Sequence, residues 1–207
     1  MFDAVIDISH HNGTNIDFAA ITRDGIAGVV HKATQGTGFV DPNFAGNRAK
    51  ALDAGLRFGS YHFGTGEDGG TQADFYLRTV GPRAGELLTL DFEGNNAGPS
   101  MTLEEARAFV TLIHDRIGKW PMLYAGHFLK DLLNGHPDAV LVNCPLWIAQ
   151  YGPAPVLPVG WSKWTFWQWT DGAAGVDPQP VAGMHCDRDR FSGDAAELPD
   201  FWTSVAA

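Results

Sequence analysis

Cysteine is scarce in this chain. Cys144 and Cys186 are the only two among 207 residues, too few for a disulfide framework or a zinc site of four cysteines. Two buried free thiols are the expectation. Positive charge is scarce as well: 14 Lys and Arg stand against 24 Asp and Glu, a formal charge of -10. Nucleic acids and anionic membranes are held by clustered cations, so neither is expected as a partner. A strongly anionic polymer would find no electrostatic anchor either, whereas an uncharged sugar chain is compatible. Long apolar runs are missing, and nothing approaches the ~20 residues of a membrane span. Met1-Phe2-Asp3 leads into Ala4-Val5-Ile6-Asp7, too short an apolar stretch for a signal peptide and without a basic flank. The expectation is a chain made in the cytoplasm without a signal peptide. No linker or low-complexity segment divides it. With 44% hydrophobic residues and seven Trp, residues 1–207 read as a single domain with a sizeable core.

What is present is a recurrence of short β-rich runs, each followed by a turn. Strands are predicted at Ala4–Ser9, Ala27–Ala33, Arg57–Phe63, Glu86–Glu93, Pro121–Gly126, Pro145–Tyr151, Thr165–Thr170 and His185–Phe191. Helices are predicted at Asp17–Arg23, Asn43–Ala54 and Gly70–Val80, with the best at Leu103–Ile117. That last segment has Thr102 to cap it, Glu104 and Glu105 in its first turn and Gly118 beyond its end. Leu103, Ala106, Phe109, Val110 and Ile113 recur at helical spacing. After Tyr124 the helices shorten and Pro/Gly-rich loops take over. Eight strands with early βα alternation predict an α/β barrel that has lost helices from its last part. A doubly wound open sheet is the rival.

The most informative segment is Glu86 to Gly94. Leu88, Leu90 and Phe92 share one strand face, and Thr89, Asp91 and Glu93 share the other. Asp91 and Glu93 therefore stand on one face at the end of a strand, which in an α/β barrel is the active rim. Two carboxyls this close resist joint ionisation, so one keeps a proton to donate. Cleaving a glycosidic bond needs such a donor, since an alkoxide leaves poorly. On residue types alone, a solvent-exposed pair capping a loop stays equally open. Asp7 adds weight near the end of the first strand, and Asp187 and Asp189 are read as doing the same in the last. These acids with His10, His11, His31, His62 or His185 could also bind a metal, but no zinc-type spacing is present. No metal and no cofactor are expected, and His31 and His62 read as packed or locally hydrogen-bonded. Tyr61, Phe63, Tyr124, Trp147, Tyr151, Trp167 and Trp169 lie in or beside strands, where aromatic faces suit sugar rings. Whether Trp167 and Trp169 are core or binding residues is open, since parity says only that they share a face.

These motifs, taken together, resemble the glycoside hydrolase family 25 lysozymes, the Chalaropsis-type muramidases, over nearly the full chain. The resemblance rests on Ile6-Asp7-Ile8-Ser9-His10-His11-Asn12-Gly13, Val30-His31-Lys32-Ala33-Thr34-Gln35-Gly36, Phe39-Val40-Asp41-Pro42 and Gly59-Ser60-Tyr61-His62-Phe63. It continues through Leu90-Asp91-Phe92-Glu93, Pro121-Met122-Leu123-Tyr124, Leu146-Trp147-Ile148-Ala149-Gln150-Tyr151 and Trp167-Gln168-Trp169-Thr170. The resemblance implies a modified TIM-type barrel of eight strands and about five helices. It implies a single catalytic domain that hydrolyses, with retention, the β-1,4 bond from N-acetylmuramic acid to N-acetylglucosamine in peptidoglycan. By position it makes Glu93 the proton donor and Asp91 its partner, with Asp7 and Asp187 as further catalytic acids. Lys32, Tyr61, Tyr124 and Trp147 become substrate-binding residues. Three departures stand out: Gln35 for the usual Glu, Arg188 and Arg190 where apolar residues are common, and Asp189 for Asn.

The setting this suggests is a monomeric phage or prophage endolysin, released from the cytoplasm to act on the glycan strands of the wall. A sugar-binding pseudoenzyme on the same barrel and a chitinase-like hydrolase are the alternatives. The intact acids speak against the first of these.

Overall fold

Each short β-run finds its partner in the next, until the last turns back to the first. In the computed structural model, which describes residues 2–175 and 179–207, the strands are β1 (Phe2–Ile8), β2 (Gly28–Gln35), β3 (Phe39–Val40), β4 (Arg57–Phe63) and β5 (Leu87–Phe92). β6 (Met122–Ala125), β7 (Leu146–Ala149), β8 (Phe166–Thr170) and β9 (Asp187–Phe191) follow. Their order is β1-β9-β8-β7-β6-β5-β4-β2, and β1 also pairs with β2, so eight strands close into a barrel. Closure excludes the open doubly wound sheet, which leaves two edges unpaired. β3 is a two-residue addition, folded back antiparallel onto β2 outside the ring.

The direction of the final strand corrects a sequence expectation. Asp187 and Asp189 were expected near the end of the last strand, as Asp7 is near the end of the first. β9 instead runs antiparallel to both β8 and β1. Asp187 is its first residue and pairs with Asp7. It reaches the mouth of the barrel because the strand starts there.

Six α-helices lie among the described residues: α1 (Phe18–Arg23), α2 (Phe44–Asp53), α3 (Gly69–Val80), α4 (Leu103–Ile117), α5 (His127–Leu133) and α6 (Leu198–Val205). α4 has the predicted bounds. Thr102 accepts from the Glu105 N–H, Glu105 answers at the Thr102 N–H, and Gly118 ends the helix in the left-handed region. α6 was not anticipated, although Pro199 in its first turn is a start signal.

Strand parity divides the core into two layers. Ile6, Ile8, Leu88, Leu90, Phe92 and Leu123 face outward and pack with Tyr76 of α3 and Phe109, Val110 and Ile113 of α4. Val5, Val30, Leu87, Met122, Trp147, Phe166 and Phe191 form a second cluster, sealed by Leu198, Trp202 and Ala206 around α6. Leu87 begins β5 and Phe191 ends the antiparallel β9, so this cluster is the barrel floor. Trp202 donates from Nε1 to the Gly85 carbonyl at 3.0 Å. Its ring lies against Gly28, where a Cβ would fall 2.8 Å from a ring carbon. Losing such a buried tryptophan costs about 3–5 kcal/mol. With the floor filled, only the opposite end is left open. Among the described residues, no helix is long and apolar enough to cross a membrane.

Candidate active site

The open end of the barrel holds a cavity of about 250 Å³. β5 delivers Asp91 as its last inward residue, and Glu93 follows one position beyond the strand. β1 delivers Asp7, and β9 delivers Asp187 directly opposite it. All four acids line the cavity, together with Tyr61 of β4, Tyr124 of β6 and Trp147 of β7. Lys32 does not line it. Its Nζ donates to Gln35 Oε1 at 2.7 Å and lies 4.9 Å from the Phe63 ring centre. Lys32 is largely buried, and the charges of Asp91, Asp41 and Glu93 act on it.

Two cavity residues were not singled out from the sequence. Gln168 of β8 accepts from the Tyr124 hydroxyl at 3.0 Å and donates from Nε2 to Asp7 Oδ2 at 2.8 Å. It therefore ties three strands together across the mouth. The signal for it was the Trp-Gln-Trp alternation: if the tryptophans face out, the glutamine faces in. Tyr151, beyond β7, was noted only as one of the aromatics; its hydroxyl approaches Asp187 Oδ1 at 3.4 Å.

The aromatics expected near the strand ends separate into two groups. Trp167 and Trp169 are not in the cavity. They pack outside the barrel with Leu146 and Ile148, flanked by Trp161 and Trp164. The Arg190 guanidinium stacks over Trp169 at 4.1 Å and over Trp167 at 5.2 Å, while Arg188 pairs with Asp3. The two arginines and two tryptophans explain one another, because β8 and β9 are neighbours and share this outer face.

The electrostatics follow from four carboxyls in a confined space. Burial pushes Asp7 well above the ordinary carboxylate range, and the charge of Asp187 adds to it. Burial does the same to Asp91, reinforced by Glu93. Glu93 is less deeply set; burial raises it and Lys32 pulls it back. Asp187 is pushed up to about 6 by burial, against a lowering hydrogen bond from Tyr151. The group therefore retains protons where isolated carboxyls would have lost them.

The histidines of the core are committed elsewhere. His31 bonds the Lys32 carbonyl at 2.7 Å through Nδ1 and Asn47 at 3.0 Å through Nε2. His62 lies between Thr34 and Gln72, and burial lowers it to about 4. Cys144 and Cys186 are buried and unpaired. Among the described residues, no group of three His, Cys, Asp or Glu has the arrangement of a metal site.

A family model described as Glycosyl hydrolases family 25 matches residues 6–176, which run from the end of β1 through β8 and include three of the four cavity acids. The chain belongs to this family. It is 29% identical to Lysozyme M1 of Streptomyces globisporus, over 93% of this chain and 69% of that one. It is 31% identical to the N,O-diacetylmuramidase of Chalaropsis sp, over 81% and 88%. The bacterial lysozyme structure from Streptomyces coelicolor superposes with a TM-score of 0.84 at 28% identity, covering 100% of this chain and 99% of that one. As a family 25 glycoside hydrolase the chain is an enzyme. Two further polar residues hold residues of the site: Gln35, half-buried, and Asp189, fully buried. Gln35 holds Lys32, and Asp189 accepts from Trp147 Nε1 at 2.7 Å.

Proposed function

We propose that this enzyme is a muramidase. It hydrolyses the β-1,4 bond between N-acetylmuramic acid and N-acetylglucosamine in peptidoglycan, with retention of configuration at C1. The observation that carries this reading is the placement of Asp91 and Glu93 on one cavity wall, with Asp7 and Asp187 on another. Both carboxyls on the first wall are raised by burial. Glu93 is the better exposed of the two, at the mouth where a glycosidic oxygen can reach it, and we assign it the proton donor. Asp91 is almost fully buried, which suits a group that orients the substrate.

The chemistry we infer is substrate-assisted. Glu93 gives its proton to the glycosidic oxygen as the C1–O bond breaks. The carbonyl oxygen of the 2-acetamido group attacks C1 from the opposite face, and Asp91 accepts the acetamido N–H as positive charge develops there. Water then attacks C1 and gives its proton to Glu93. Two inversions leave net retention, and one water is consumed. Tyr61, Tyr124 and Trp147 supply ring faces and polar tips to the sugars. Lys32 contributes through its charge on the carboxyls. The excess of acidic over basic residues supports a neutral glycan strand as partner, over a nucleic acid or an anionic membrane.

Digesting purified peptidoglycan and chitin in parallel, then identifying the new reducing ends, tests the proposal. Reducing-end muramic acid from peptidoglycan is expected. Reducing-end N-acetylglucosamine would show that the other bond is cut. Preferential cleavage of chitin would establish the chitinase reading, and binding without cleavage would establish the pseudoenzyme.

A further inference from the structure

Asp189 of β9 lies two residues from Asp187 on the inward face of the strand, yet it does not line the cavity. It has no exposed surface at all. One oxygen accepts the Trp147 indole N–H at 2.7 Å. The other, Oδ2, is buried and meets no N–H or O–H donor among the described residues. Across the sheet its diagonal neighbour is a second acid: Asp189 pairs with Val5 while Asp7, two residues on, pairs with Asp187, and Gln168, which pairs with Asp189, bonds Asp7. The charges that act most strongly on it, Asp7 and Asp3 from β1 and Asp187 from β9 itself, are all acidic. The neighbouring arginines of β9 face the other way, onto the tryptophans and Asp3. A carboxylate with one bare buried oxygen against another carboxylate is not a stable arrangement. A carboxylic acid in the same place satisfies every atom, because its O–H supplies the missing donor.

We propose that Asp189 is a positioning residue that works as a neutral carboxylic acid, donating its O–H to Asp7 while accepting from Trp147. Asp7 is then gripped from two strands, by Gln168 Nε2 at 2.8 Å from β8 and by the Asp189 hydroxyl from β9. One acid fixes the direction of the other, and Trp147 on the cavity wall is fixed by the same group. Burial holds the proton on Asp189, and the charge of Asp7 reinforces it. Asparagine reproduces the pattern atom for atom, its Oδ1 accepting from Trp147 and its Nδ2 donating to Asp7. The role in positioning Asp7 rests on the catalytic reading of the site; the protonation state does not.

Thermal unfolding of wild type and Asp189→Asn between pH 4 and 8 tests the protonation. The folded wild type keeps a proton that its unfolded chain releases above about pH 4, so it loses stability as pH rises through that window. The Asn variant lacks that group, and the gap in Tm should widen in its favour with rising pH. Parallel curves overturn the proposal, whatever the activity does. Asp189→Asn should keep most of the wild-type kcat, while Asp189→Leu should lose about 10–100-fold in kcat with KM little changed. A Leu variant as active as the Asn variant overturns the positioning role. If the Leu variant does not fold, the wild-type and Asn curves still decide the protonation, and an Asn variant crippled in kcat would overturn the positioning role.

Discussion

Lys32 Nζ donates to Gln35 Oε1 at 2.7 Å, and no acid stands at that contact. The lysine charge is therefore left to act on Asp91 and Glu93, both of which it lowers against the effect of burial. Lys32 itself is lowered by burial, with Asp91, Asp41 and Glu93 opposing. Glutamine at 35 hands the lysine to the active carboxyls instead of pairing it off.

Gln35→Glu should undo this. A carboxylate on Lys32 offsets its pull on Glu93, so Glu93 keeps its proton to higher pH. Activity requires that proton and falls as pH rises through the Glu93 pKa. The alkaline limb of kcat should then move upward, on the order of one pH unit. A pH–rate profile checks it, and a limb that stays in place or moves down removes Lys32 from the electrostatics.

Glu93→Gln should abolish wall lysis with the fold intact, because an amide cannot give the glycosidic oxygen a proton. Loss of a general acid costs about 10²–10⁴-fold. Turbidity clearance of purified walls, beside a circular dichroism melt, makes the measurement. Near-normal turnover in a folded variant would falsify the assignment of Glu93.

Asp187→Asn should lower turnover sharply, by about 10²-fold for the loss of a preorganised charge in a confined site. It should also shift the alkaline limb in the direction opposite to Gln35→Glu. The Asp187 carboxyl, pushed up to about 6 mainly by burial, interacts with Glu93. Above that pH its charge favours the protonated form of Glu93, and removing the charge lets the proton leave at lower pH. Comparing profiles of Asp187→Asn and Asp189→Asn checks the register too. If Asp189→Asn is the more damaging, the functional acid of the last strand lies two residues further on.

Chelation should leave the rate unchanged. The buried histidines that could join the acids on a metal are engaged by Asn47, Thr34, Gln72 and a backbone carbonyl. A strong chelator added to the lysis assay is the check. An activity lost on chelation and restored by one divalent ion would revive metal-assisted hydrolysis.

Sequence and structure agree most closely where the physics is local. The α4 helix shows every signal of its ends in adjacent residues, since a cap is a contact across three positions. The face shared by Thr89, Asp91 and Glu93 needed only the two-residue period of a strand. The order of motifs along the chain carried the family resemblance, and with it the identity of the four cavity acids. β3 and α6 escaped. A two-residue strand has no period to detect, and α6 is stabilised by the barrel floor it seals.

What the sequence by itself determined, then, was which residues share a strand face and where the longest helix begins and ends, because both follow from backbone geometry within a few residues. Direction and sidedness were settled only by closure. The pairing of β9 with both β8 and β1 fixes it antiparallel and brings Asp187 against Asp7. Parity made Trp167 and Trp169 companions, but only the ring could say they lie outside it, with Gln168 between them turned in toward Asp7. Lys32 shares a strand with residues of the wall, yet the cavity excludes it. Its long side chain reaches Gln35 instead, a contact that strand parity alone does not show.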